Sequence, residues 1–128
     1  ARPGNTFRLS PRAADPALTG LASGLALPEG YRSEIGLAAQ AFLRSLGACL
    51  TRGAALFIDY GFPAHEFFHP ERRGGTLMCH YRHRAHPDPY YWPGLQDITA
   101  HVDFTAMAVA AQDAGLRARQ DHAFLVVR

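Results

Sequence analysis

Between Gly94 and Phe104 the chain reads Gly-Leu-Gln-Asp-Ile-Thr-Ala-His-Val-Asp-Phe, just after a Pro93-Gly94 break. Asp97, His101 and Asp103 are set there among Ile98, Val102 and Phe104. A solvated loop has no need of three large apolar side chains. A core element does not tolerate acids without partners, because a buried polar group lacking a hydrogen bond costs free energy. The pattern is that of a pocket rim, and its two acids and its imidazole are the first candidates for chemistry. A further acid, Asp59, closes the apolar run Ala54-Ala55-Leu56-Phe57-Ile58 and is followed by Tyr60 and Gly61. Ligands of open α/β sheets bind outside the carboxyl ends of strands, the place these three residues occupy. Two readings of Asp59 stand side by side: it faces a cofactor or substrate, or it caps the turn at Gly61.

Other groups point to less. His65, His69, His80, His83 and His86 crowd one segment. On a strand, His80 and His83 would point to opposite faces, and Pro87 and Pro89 argue against a helix, so the spacing does not converge on a metal. We expect no metal site, and hydrogen-bonding or solvated histidines instead. Cys79 and His80 are adjacent and would face apart on a strand, so Cys79 reads as a buried, inert thiol. Arg72, Arg73, Arg82 and Arg84, with Tyr90, Tyr91 and Trp92, resemble a single-strand nucleic-acid surface in composition, and equally any basic, partly packed loop. No G-x-S-x-G, P-loop or G-x-G-x-x-G is present, so hydrolase, NTPase and complete dinucleotide-fold readings lack their motif.

These residues need elements to hold them. Residues 33–52 carry Ile35, Ala39, Phe42, Leu46, Cys49 and Leu50 on one helical face, with Ser33 as N-cap, Glu34 in the first turn, Arg52 in the last and Gly53 as the stop. Residues 54–59 follow as an apolar strand of a parallel α/β unit. Residues 62–96 hold five prolines and read as a long inserted loop with a candidate strand at 76–81. Asp103 is placed to cap a helix over 104–114 that Gly115 ends. In the tail, Phe124 to Val127 has strand propensity. The organisation is one partial domain: a lead-in over 1–32 with a short helix near 14–22, helix plus parallel strand over 33–61, the loop over 62–96, and pocket rim, helix and tail over 97–128.

Composition sets the bounds. The chain has 128 residues, 48% hydrophobic and 19% charged, which suits one globular domain. A net charge of +2 is too small to argue for nucleic acid. All thirteen basic residues are arginine, as GC-rich bacterial codon usage would give. Two distant cysteines make no disulfide framework, so a reducing, cytoplasmic setting is expected. No apolar run approaches the ~18 residues of a membrane span. The start, Ala1-Arg2-Pro3-Gly4, shows neither a signal-peptide core nor an initiator methionine, and reads as a processed product or a fragment.

Taken in order, Ile58-Asp59-Tyr60-Gly61, Gly75-Thr76-Leu77, His83 and Pro93-Gly94-x-x-Asp97-Ile98-Thr99-Ala100-x-Val102-Asp103-Phe104 resemble the MidA-like family, as do Pro28-Glu29-Gly30 and Ser33-Glu34-Ile35 upstream. That family consists of S-adenosylmethionine-dependent methyltransferases and includes a mitochondrial complex I assembly factor that methylates protein arginine. The resemblance covers about residues 25–116. It implies an α/β fold, the C-terminal half of a Rossmann-like class I methyltransferase domain. It also implies that the family's glycine-rich cofactor loop lies outside the sequence, so the chain alone is expected to be inactive and not to bind S-adenosylmethionine. The missing N-terminal half would then be a partner, together with a protein substrate such as a complex I subunit. The setting implied is bacterial cytoplasm, or the mitochondrial matrix in a eukaryote, with no membrane and no nucleic acid. Asp59, Asp97, His101 and Asp103 become the candidate catalytic residues, carboxylates serving to hold a guanidinium. Tyr60 and Gly61 become the candidate cofactor contacts. By the same resemblance, Gln120 to Leu125 would open a helix, against the strand propensity of the tail. The rival reading is a non-catalytic interaction module; a histidine-rich metal-binding protein is a third.

Overall fold

A computed structural model of the chain describes residues 7–120 and 124–128. Helix α1 spans Pro16–Gly24; the Asp15 carboxylate accepts from the Leu18 N–H at 2.8 Å, and proline starts the first turn, where its missing N–H costs nothing. Helix α2 spans Leu37–Cys49, four residues later than the periodicity placed its start. Gly36, with no side chain to offer, stands at its N-cap, and neither Ser33 nor Glu34 caps it. The C-terminal carbonyls of α2 are met from the far end of the chain: the Arg128 guanidinium donates to the carbonyls of Gly47 and Leu50. A cation is favoured at that helix end; Arg52, the expected one, does not supply it.

Strand β1, Ala54–Phe57, pairs antiparallel with β8, Phe124–Val127, which in turn pairs antiparallel with β7, Arg117–Gln120. The described neighbour of β1 is this returning C-terminal strand, antiparallel to it, and the edge at which a parallel neighbour would pair is open among the described residues. The helix implied over Gln120 to Leu125 is corrected at both of its described ends, where Gln120 closes β7 and Phe124 opens β8; residues 121–123 lie outside the description. Propensity decided that segment, since Phe124 and Val126 bury their side chains while Leu125 and Val127 are half-buried.

Helix α4, Phe104–Asp113, lies with α2 over this sheet. Leu43, Phe104, Met107, Ala110, Ala111, Leu116, Phe124 and Val126 form the core. The Phe104 and Phe124 rings stack at 5.9 Å. Gly47 lets α2 and α4 approach closely: a Cβ there would stand 2.6 Å from the Ala114 carbonyl oxygen.

The segment expected as loop carries its own elements. They are β2 at Gly61–Phe62, α3 at Ala64–Phe67, β3 at Met78–Tyr81 and β4 at Arg84–His86. Strand β5, Asp97–Thr99, joins β3 and β4 in a second antiparallel sheet ordered β4-β3-β5. Strand β6, Val102–Asp103, pairs with β2, and this short pair is parallel.

The other edge of β1 has no partner among the described residues, and Leu56 and Ile58 are largely exposed. Gly53 and Arg128 exchange both backbone bonds, at 3.5 and 3.1 Å, so by antiparallel alternation the N–H groups of Ala55 and Phe57 point to β8 and those of Leu56 and Ile58 point outward. Such an edge invites pairing. Hydrogen exchange on the dilute monomer should therefore show Ala55 and Phe57 protected, and Leu56 and Ile58 exchanging freely. Protection at Leu56 would mean that a second strand already covers this edge.

Candidate functional site

The parallel β2–β6 pair brings the end of β1 to the Gly94–Phe104 segment. The Tyr60 carbonyl accepts from the Val102 N–H at 2.8 Å, which locks residues 59–60 beside 100–102. From the other side, β5 runs against β3 with His80 opposite Asp97 and Met78 opposite Thr99. The Thr99 hydroxyl adds a bond to the Met78 carbonyl at 3.2 Å. Between these two junctions lies an open cleft of about 800 Å³, lined among others by Asp59, Tyr60, His80, Asp97 and His101. Three of the four acids and imidazoles expected to do chemistry therefore share one cleft, with Tyr60, although distant segments supply them.

Asp59 is exposed, and its Oδ1 accepts from the Tyr60 N–H at 2.7 Å. That bond holds the carboxylate over the strand end, and no bond to Gly61 is made. The Tyr60 side chain is 82% exposed and unpacked. His101 is half-buried, its ring 4.9 Å from that of Phe62, and its Nδ1 is buried without a protein partner.

Asp103 is placed elsewhere. It caps α4, Oδ1 accepting from the Ala106 N–H at 3.1 Å, and lines a separate, largely apolar cavity of about 310 Å³ between α1, α2, α3 and α4. His101 stands in the wall between cavity and cleft. Burial raises the Asp103 carboxyl above its ordinary value, and the N–H groups of Ala106 and Thr105 pull it back in part. With the folded value above the unfolded one, the stabilising contribution of this group is full below the unfolded carboxylate pKa of about 3.9 and fades as pH rises through the raised value. Asp103→Asn keeps a capping oxygen and removes the titration. Its stability relative to wild type should thus climb across that acid range, measured by denaturation at a series of pH values. Asp103→Ala should lose about 1 kcal/mol, as caps do.

Gly61 is a packing residue. A Cβ on it would meet the Val102 carbonyl oxygen, and the Phe104 ring at 2.7 Å. It fixes the β2–β6 approach, and its backbone is half-buried.

One group that orders the site was read differently from the sequence. Glu34, assigned there to a helix N-terminus, reaches across to the segment before β3. Its carboxylate accepts from the Thr76 N–H at 2.9 Å, the Thr76 hydroxyl at 3.1 Å and the Leu77 N–H at 3.2 Å. Thr76 is buried, and its Oγ1 accepts from the His101 N–H at 3.0 Å. Glu34 therefore holds Thr76, which holds His101. Ser33-Glu34-Ile35 and Gly75-Thr76-Leu77 stood out together as motifs, and their co-occurrence was the available signal. His80, exposed and opposite Asp97 on β5, also lines the cleft.

The remaining histidines disperse. His80 pairs in register with Ala85, His86 pairs with Cys79 on the other face of the β3–β4 hairpin, and His83 occupies its turn. Among the described residues no three His, Cys, Asp or Glu groups converge as metal ligands. Cys79 is fully buried, and burial, with a smaller push from Asp88, raises its thiol pKa. The thiolate needed for reaction is disfavoured there. No helix among the described residues is long and apolar enough to cross a membrane.

A mixed α/β core, with acids gathered where β1 ends, defines part of a class I methyltransferase-like domain. Residues 2–121 match the family model described as "Putative S-adenosyl-L-methionine-dependent methyltransferase". The chain belongs to this family, the MidA-like one that its ordered motifs resemble, and S-adenosyl-L-methionine is the family's cofactor. Two solved structures from Burkholderia thailandensis are similar to it. One is described as an uncharacterized COG1565 superfamily protein, 54% identical with a TM-score of 0.78, covering 84% of this chain and 29% of that one. The second, a COG1565 superfamily member bound to S-adenosyl-homocysteine, is 55% identical with a TM-score of 0.74, covering 85% and 28%. This chain thus spans under a third of the length of those proteins. No curated protein matches it.

The described residues do not by themselves fit this cofactor. The cleft is open, and its lining of carboxylates, imidazoles, Met78, Ile98 and the exposed Tyr60 includes no glycine-rich turn. Nothing there encloses a nucleoside.

Proposed function

We propose that this chain carries the acceptor side of an S-adenosyl-L-methionine-dependent methyltransferase, and that the acceptor is an arginine of a protein. The observation that carries this reading is the meeting of Asp59 and Asp97 in one open cleft at the end of β1. A guanidinium is planar and always charged, and it is recognised through paired N–H···carboxylate bonds. Two carboxylates that hold two of its nitrogens would orient the third for transfer, and orientation is a large part of what such a site can supply. The exposed Tyr60 ring would lie beside the guanidinium plane, and His80 beside Asp97. His101, tied through Thr76 to Glu34, would keep the back wall in place. In this reading Asp103 positions α4 and does not touch the acceptor.

The resemblance supports a respiratory complex I subunit as the protein substrate, and the bacterial cytoplasm as the setting, in keeping with two unpaired cysteines. The cofactor contacts would come from the remainder of a class I domain. The 128 residues alone should then be inactive and bind no S-adenosylmethionine in a calorimetric titration; tight, stoichiometric binding would overturn that division of labour. The decisive experiment uses a protein of the relatives' length that contains this sequence. With a labelled methyl donor and an arginine-bearing protein acceptor, Asp97→Asn and Asp59→Asn should each lower kcat/KM on the order of 100-fold, with the melting temperature unchanged. Unaltered transfer in both variants, or transfer to a lysine acceptor as fast as to arginine, would refute the guanidinium reading.

A further inference from the structure

The β3–β4 hairpin carries a second group of charges that the cleft does not use. Its turn places Arg82 and His83 at φ +47° and +63°, where non-glycine side chains are uncommon. On one face, Tyr81 lies opposite Arg84 and Cys79 opposite His86. A solvent-open depression of about 710 Å³ is lined by Tyr81, Arg82, Arg84, His86, Asp88 and Tyr91, with Ala85. Both arginines are exposed, and among the described residues neither has a carboxylate partner. His86 Nδ1 accepts from the Asp88 N–H at 3.3 Å, so the ring proton of neutral His86 is on Nε2. That Nε2 is buried and has no protein partner. The Tyr91 ring meets the His86 ring edge-on at 5.2 Å, so this group faces the interior, and the donors open to a ligand are the two guanidinium groups, whose complement is an anion. Asp88 is the one opposing charge; its Oδ1 is engaged by the Tyr90 N–H at 2.9 Å.

Two observations select a peptide as the carrier of that anion. The outer edge of β4 has no strand partner among the described residues, and by the alternation of the β3–β4 ladder the N–H and C=O of Ala85 point outward, where an extended segment can pair. The Tyr81 ring, which lies beside the two arginines, is already engaged and is not free to stack a nucleotide base. Trp92 stacks on Tyr81 at 6.0 Å and 9°, while the Arg82 guanidinium lies over the Tyr81 ring at 5.4 Å. We propose that the β3–β4 hairpin docks an extended acidic peptide segment, which pairs at the open edge of β4 and sets a carboxylate between Arg82 and Arg84. The segment's role, to bring a protein acceptor to the cleft across β3 and β5, rests on the reading given under Proposed function. Its binding does not, and it needs no methyl donor.

The chain has one tryptophan, Trp92, and it lies against this surface. Titration of the 128-residue chain with an alternating Glu-Thr peptide, followed by Trp92 emission, should give saturable binding that weakens with added salt. The matching Gln-Thr peptide should not bind. Arg84→Ala should weaken binding about tenfold, as should Arg82→Asn, which tolerates the left-handed turn. Asp88→Asn should tighten it. Circular dichroism of each variant establishes that the hairpin is intact. Equal affinity for the neutral peptide, indifference to Arg84→Ala and Arg82→Asn in folded protein, or preference for a single-stranded oligonucleotide of equal charge would each overturn the proposal. Failure of peptide binding alongside normal arginine methylation would sink the docking site alone; the reverse would sink only the acceptor reading.

Discussion

Glu34→Ala should lower the unfolding free energy by about 3 kcal/mol, the largest loss expected from removal of any single polar side chain here. Its carboxylate accepts bonds from two backbone N–H groups and one hydroxyl in a partly buried place. Bonds to a charged acceptor contribute about 1.5–3 kcal/mol each. The gross sum is offset because an ion is no longer desolvated and because water enters the space vacated. What is left unpaired is the Thr76 N–H, on a buried residue, and that penalty is not recovered. Glu34→Gln retains the size but turns an N–H₂ toward a donor, and should cost about 2 kcal/mol. Denaturant unfolding followed by circular dichroism measures both. A loss below about 1 kcal/mol for the alanine variant would show that water replaces the carboxylate. The His101 amide resonance should shift in both variants, because the Thr76 hydroxyl that accepts from it is released.

Gly61→Ala should cost a similar amount, about 3 kcal/mol, by overpacking. The added methyl would stand 2.7 Å from the Phe104 ring and 2.9 Å from the Val102 carbonyl carbon. One of these neighbours is backbone, held in the β2–β6 pair, and the other is a core ring, so neither moves freely. Ordinary strand positions gain from Gly→Ala through the unfolded chain, by about 0.4–1 kcal/mol, and that gain is too small to compensate. The thermal midpoint should fall, and on the reading proposed above methyl transfer by the longer protein should fall with it, since this junction is one of the two that bring Asp59 and Asp97 to one cleft. A variant as stable as wild type would mean that β2 and β6 separate at little cost.

Some of this molecule is written locally. The Asp103 cap with Gly115 beyond the helix end, and Asp15 before Pro16, act within a few residues of themselves, so spacing alone exposes them. The apolar runs at Ala54 to Phe57 and Phe124 to Val127 declare strands by propensity. In the tail, propensity outweighed the helix that resemblance implied, because alternate buried faces on β8 need strand geometry. The cluster of acids and apolar residues between Gly94 and Phe104 marked a rim, and its ordered motifs carried the family and its cofactor.

What the sequence could not disclose is everything fixed by contact between distant segments. Strand β7, Arg117–Gln120, has no apolar alternation and exists because β8 is there to pair with it. The antiparallel partner of β1 comes from the other end of the chain. Arg128 in place of Arg52 meets the end of α2, since a side chain's reach is set by the folded path and not by its number. Glu34 looked like a helix charge because local rules see only its neighbours, whereas its partners lie beyond β1 and β2. Asp59, Asp97 and His101 were legible as acids and an imidazole of the right kind. That they share a cleft while Asp103 caps a helix outside it was decided by two tertiary junctions, the β2–β6 pair and the β3–β5 register, whose closing contacts no local pattern encodes.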